Sequence, residues 1–138
     1  MKKNTVYKTL FLFVLALTSI SCETVLDCIT DKKPSLIYKE LYTGSTYIAY
    51  NENITFEIKK GNTEEYIISS ASIDGNLPPG INYSVVDNSK VNFKGIPNKS
   101  GTYEFTVTIY VRRYINNEED EDNLCDRGAS QKYKIVIR

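Results

Sequence analysis

The chain has 138 residues, enough for one domain with a true core and too few for two. It contains no histidine and no tryptophan, which excludes a histidine-dependent catalytic triad and a histidine-ligated zinc site. Its 17 basic and 17 acidic residues cancel, so no net field marks it as a partner for a nucleic acid.

The N-terminus reads as an export signal. Lys2, Lys3 and Lys8 form a positive head, "LFLFVLAL" (Leu10–Leu17) an apolar core, and "TSISC" a small, polar exit ending at Cys22. The apolar run is far shorter than the roughly 20 residues that span a bilayer, so a cleaved signal peptide is expected in place of a membrane helix. Ser21 followed by Cys22 resembles the lipobox of bacterial lipoproteins, in which the cysteine takes the lipid and becomes the first residue. Ser19 stands where that motif prefers leucine. The resemblance implies a membrane anchor through Cys22 and a place on a bacterial cell envelope, at the periplasmic or surface face of the outer membrane. Ordinary cleavage, leaving Cys22 as a thiol, is the alternative. Loss of residues 1–21 removes Lys2, Lys3 and Lys8 and no acid, leaving a chain acidic by three charges.

Three cysteines in an exported chain leave one odd. With Cys22 lipidated, Cys28 and Cys125 form an even pair in an oxidising compartment, and a disulfide between them is expected. Closing so long a loop stabilises by roughly 4–5 kcal/mol in the chain-entropy model.

Residues 22–34 read as a polar tether and 35–138 as the folded domain. Within it, apolar residues alternate with polar ones and no long stretch has helical period. The predicted strands are Ser35–Tyr42, "NITFEIK" (Asn53–Lys59), Glu65–Asp74, Ile81–Val86, "KVNFK" (Lys90–Lys94), "TYEFTVTIYV" (Thr102–Val111) and "QKYKIVIR" (Gln131–Arg138). "KKGN", "DGNLPPG", "VDNSK" and "PNKSG" punctuate them as turns. Seven short strands in about 100 residues predict an all-β fold, an antiparallel β-sandwich of immunoglobulin type. In "NLPPGINY", Pro79 and Gly80 suit the two central positions of a type II turn, which would carry Leu77 and Ile81 into the core. Tyr103 reads either as a tyrosine corner or as a plain core residue.

"LPPGI" (Leu77–Ile81), "GIP" (Gly95–Pro97) and "GTY" (Gly101–Tyr103) together resemble the Ig-like, cadherin/dystroglycan-like domain of bacterial surface proteins. The match is close over about 35 residues and rests elsewhere on strand number. It implies an extracytoplasmic module used for binding, adhesion or structural spacing, and it does not imply an enzyme. The acidic calcium motifs of cadherins are missing from the strand ends, so no cofactor is carried over.

Two groups of residues carry the remaining chemistry. The run "NNEEDEDN" (116–123) offers oxygens to calcium at 118–122 but lacks the spaced ligands and glycine of a calcium loop, so a solvated hairpin loop is the plainer reading. Tyr38, Tyr42, Tyr47 and Tyr50 could stack on sugars. Tyr38 and Tyr42 are expected to pack within a strand, whereas Tyr47 and Tyr50 fall in a polar loop. In a seven-strand immunoglobulin order, Cys28 and Cys125 lie at one end, near the lipid. Tyr47, Tyr50 and Lys99 lie at the other, where an envelope protein or a glycan would bind. The main expectation is thus a non-catalytic, lipid-anchored module for binding, adhesion or spacing; a glycan-binding accessory lipoprotein is the alternative.

Overall fold

The computed structural model describes residues 32–114 and 124–138. Strands form where the alternation places them: β1 (Lys33–Leu36), β2 (Tyr50–Lys59), β3 (Tyr66–Gly75), β4 (Ile81–Val86), β5 (Lys90–Gly95), β6 (Gly101–Arg113) and β7 (Gly128–Ile137). A 3-10 turn at Thr63–Glu65 leads into β3. The strands make two antiparallel sheets, one ordered β1-β2-β5-β4 and the other β3-β6-β7.

The period of two explains the layering, because alternate side chains leave opposite faces of a strand. β2 buries Ile54, Phe56 and Ile58, β5 buries Val91 and Phe93, β6 buries Phe105, Val107, Ile109 and Val111, and β7 buries Tyr133, Ile135 and Ile137. These inward residues of both sheets form one hydrophobic cluster. The rings of Phe93 and Phe105, one from each sheet, meet at 5.3 Å in a tilted pair. Each such side chain contributes about 1.5–3 kcal/mol by leaving water, which makes this shared layer the main source of stability. β3 departs from strict alternation because its register against β6 shifts between Ile68 and Ser70.

The first strand differs from its predicted extent. It starts at Lys33, inside the expected tether, and stops at Leu36. Beyond it the chain changes sheets. Ile37 N–H still donates to Thr55 O of β2 at 2.9 Å, whereas Gly44 N–H donates to Val136 O at 2.8 Å and Gly44 O accepts from Arg138 N–H at 3.0 Å. A parallel bridge between Gly44 and Ile137 marks the arrival. Residues 37–49 therefore belong to neither sheet throughout, and a continuous strand over Ser35–Tyr42 is ruled out by this crossing.

The three sequence markers meet at one end. Ile81 N–H donates to Pro78 O at 3.0 Å across a turn with Gly80 at φ +95°, a geometry that favours glycine. Ile96 N–H donates to Gly80 O at 3.1 Å and Asn98 N–H to Pro79 O at 3.0 Å. A Cβ on Gly95 would lie 1.9 Å from Gly80 O, so these backbones can touch only as glycines. Ile81 is buried as expected, but Leu77 is only partly so, and Pro78 is the fully buried residue of the turn. Tyr103 O–H donates to Lys99 O at 3.1 Å, the contact that defines a tyrosine corner.

Candidate functional site

The sheet-crossing segment carries the exposed aromatics. Tyr38 is 62% exposed, Tyr42 74% and Tyr47 77%, whereas Tyr50 is 6% exposed. This inverts part of the sequence reading. Tyr50 is the first residue of β2 and points into the core, so it presents no ring to a partner. Tyr38 and Tyr42, expected to pack within a strand, stand open because no strand forms there.

Polar groups reaching out from the strands hold the segment in place. Tyr133 O–H donates to Ile37 O at 3.2 Å, and Tyr50 O–H donates to Tyr42 O at 3.1 Å. Between these two ties, Lys39 forms an ion pair with Glu52. Glu52 occupies an inward position of β2 and is 5% exposed. Its Oε2 is buried and no hydrogen bond completes it, so Lys39 is its compensation. The Lys39 ammonium also lies 6.0 Å from the Tyr42 ring centre, within reach of a cation–π contact. Burial first and the Glu52 charge second drive the Tyr50 hydroxyl well above the usual tyrosine value. Burial first and neighbouring Tyr38 second push Tyr133 up to about 12. Both hydroxyls therefore remain protonated donors at neutral pH.

The Tyr38 ring is backed by a ladder of rings. It stacks on Tyr133 at 6.1 Å and 16°; Tyr133 stacks on Phe105 at 6.4 Å, and Phe105 meets Phe93. An exposed ring is thereby fixed to the core. Beside it opens a cavity of about 410 Å³ lined by Tyr38, Asp74, Glu104, Thr106, Lys132 and Lys134. Strand register brings these groups together: Asp74 faces Thr106, Thr106 faces Lys132, and Glu104 faces Lys134. The site thus offers one fixed aromatic face, two carboxylates, a hydroxyl and two ammonium groups, a set suited to hydrogen-bonding a polyhydroxylated ligand.

The other sequence candidates are placed as follows. Tyr47 is exposed in a turn, with φ +62°, and its N–H donates to Pro97 O at 2.8 Å, which sets it beside the "GIP" loop. Lys99 is exposed, and its carbonyl serves the tyrosine corner. Cys125 N–H donates to Lys32 O at 3.2 Å, so this cysteine lies beside the start of the described domain. Cys22, Cys28 and the acidic residues 118–122 lie outside the described residues. Among the described residues no group of three or more Cys, Asp or Glu side chains comes together that could hold a metal ion.

The sequence expectation packs Tyr38 within a strand although a contrary signal is present. Leu36 faces inward, so a strand continued to Tyr42 would also turn Glu40 inward, an argument against that strand.

No family model matches the sequence, and no curated protein does. Among solved structures, the chain is similar to part of the endo-fucoidan hydrolase MfFcnA9 from glycoside hydrolase family 107. The TM-score is 0.52 at 17% identity, over 83% of this chain and 18% of that one. A second endo-fucoidan hydrolase of that family, MfFcnA4, aligns with TM-score 0.47 and 15% identity over 76% of this chain and 14% of its own. This chain spans less than a fifth of the length of either hydrolase, and the MfFcnA9 likeness shows a shared fold. The main expectation, a non-catalytic module for binding, adhesion or structural spacing, is corrected by this finding: the fold recurs within a hydrolase of glycans.

Proposed function

We propose that this chain is a glycan-binding accessory lipoprotein of a bacterial envelope, with Tyr38 as the principal contact. The observation that carries this reading is the exposed Tyr38 ring, fixed by stacking on Tyr133 at the mouth of a cavity with hydrogen-bonding walls. An amphipathic ring held rigid loses little entropy on binding, and its face can lie against the C–H face of a sugar while carboxylates and ammonium groups meet the hydroxyls. The role differs from the sequence-based alternative in its residues: Tyr38 and Tyr42 replace Tyr50, and Tyr47 remains as a third exposed ring at the turn beside Pro97. The name of MfFcnA9 makes fucoidan the first polysaccharide to test.

The strand orders β1-β2-β5-β4 and β3-β6-β7, with the tyrosine corner at Tyr103, support an Ig-like arrangement. Cys22 would carry the lipid, and Cys28 would bond to Cys125, which the contact from Cys125 to Lys32 favours. The role is that of a binding subunit and not of an enzyme, so fucoidan incubated with the protein should release no reducing ends.

Calorimetric titration of the mature chain with fucoidan oligosaccharides tests the reading. Tyr38→Ala should weaken binding at least about tenfold, in the range of aromatic hot spots, with the circular dichroism spectrum unchanged. Equal affinity of the variant and the parent would refute the role of Tyr38. Mass spectrometry of the mature N-terminus should find a diacylglyceryl cysteine at Cys22, and alkylation without reductant should leave Cys28 and Cys125 unmodified.

A further inference from the structure

A second cavity, of about 250 Å³, adjoins the first; Tyr38 and Lys134 line both. Its other walls are Lys39, Glu40, Leu41 and Thr43 of the crossing segment and Val136 of β7. Lys132 and Lys134 line the first cavity and Lys134 and Val136 the second, so the two follow one another along β7. At about 3.3 Å per residue, the floor from Lys132 to Val136 is roughly 13 Å long. A ligand pocket ordinarily measures about 300–1,000 Å³, so the second cavity alone falls below that range and acts as an extension of the first.

We infer that the site takes an extended oligosaccharide, seated in both cavities with Tyr38 under the sugar at their junction. This rests on the glycan-binding reading and names the form of its ligand. Lys134 stands at the junction too, where one ammonium can donate to hydroxyls of neighbouring sugars. Neither Lys132 nor Lys134 is in an ion pair with a described carboxylate, so both keep their donors for a ligand. Lys39, by contrast, is committed to Glu52, and its part is to hold the wall of the second cavity.

The test is a length series of fucoidan oligosaccharides, from monosaccharide to hexasaccharide, titrated into the mature chain. Affinity should rise at least tenfold between the monosaccharide and the tetrasaccharide and then level off. Thr43→Trp, which narrows the second cavity from an exposed position, should cost the long oligosaccharides at least fivefold and leave the shortest binder unchanged. Equal affinity at every length, or a Thr43→Trp loss that does not depend on length, overturns the extended site while leaving glycan binding intact. Absence of binding at every length overturns both.

Discussion

The Lys39–Glu52 pair invites a perturbation with an asymmetric outcome. Glu52 sits in the inward row of β2, between Tyr50 and Ile54, where an apolar residue would pack without help. Replacing Lys39 with methionine keeps most of the stem and removes the charge, leaving a buried carboxylate uncompensated. Loss of one partner of a buried pair costs about 3–5 kcal/mol when both are enclosed. The Lys39 side chain is 43% exposed, so water takes over part of the compensation, and the expected loss falls to about 1–2 kcal/mol. In a domain of this size that lowers Tm by about 4–8 °C per kcal/mol. Glu52→Leu should behave differently, being neutral within about 1 kcal/mol or stabilising, because it removes the charge that needed a partner. In the Glu52→Leu background, Lys39→Met should then cost under about 0.5 kcal/mol. Urea unfolding of the four chains gives the coupling directly. An equal cost for Lys39→Met in both backgrounds would refute the account, as would a loss above about 3 kcal/mol for Glu52→Leu alone.

Further outcomes follow from other contacts. Gly80→Ala should destabilise by at least about 2 kcal/mol in a thermal melt, since its Cβ would lie 2.1 Å from Ile96 O at a backbone angle of φ +95°. Tyr103→Phe removes the bond to Lys99 O and should cost about 0.5–1.5 kcal/mol, with no change in glycan binding. Tyr133 is held protonated up to about 12, above its unfolded value near 10, so its stabilising contribution is complete below pH 10 and is lost as pH rises through 12. Spectrophotometric titration should accordingly find Tyr133 ionising near about 12 and Tyr50 well above the usual tyrosine value.

The strands were legible because most of them bury one face against the same core. Ile54, Phe56 and Ile58, or Val107, Ile109 and Val111, announce their spacing locally, and the structure buries all six. The turn at Pro79–Gly80 was legible for a steric reason, as only glycine accepts its backbone angle. Glu52 hid the true start of β2, because a carboxylate in an inward position breaks the pattern unless a cation arrives from elsewhere. Lys39 arrives from the crossing segment, and local periodicity carries no trace of that contact. The same crossing explains why local sequence places Tyr38 in a strand and Tyr50 in a loop, the reverse of the structure. The cavity itself joins β3, β6 and β7 with residue 38, a juxtaposition set by tertiary register alone.

The passage of residues 37–49 from one sheet to the other also decides where this protein is open to unwanted strand pairing. Thr46 N–H donates to Arg138 O at 2.8 Å, and with the bonds at Gly44 it occupies the outer edge of β7 near its end. β1 is an edge of only four residues and contains Pro34, two features that discourage a further strand. Two edges are left over, β4 with six residues and β3 with ten; on β3 the register shift between Ile68 and Ser70 bends the strand while Asp74 places a charge near its end. Protection against edge-to-edge pairing is therefore divided: the crossing segment caps the end of the β7 edge, and a bulge with a carboxylate guards β3.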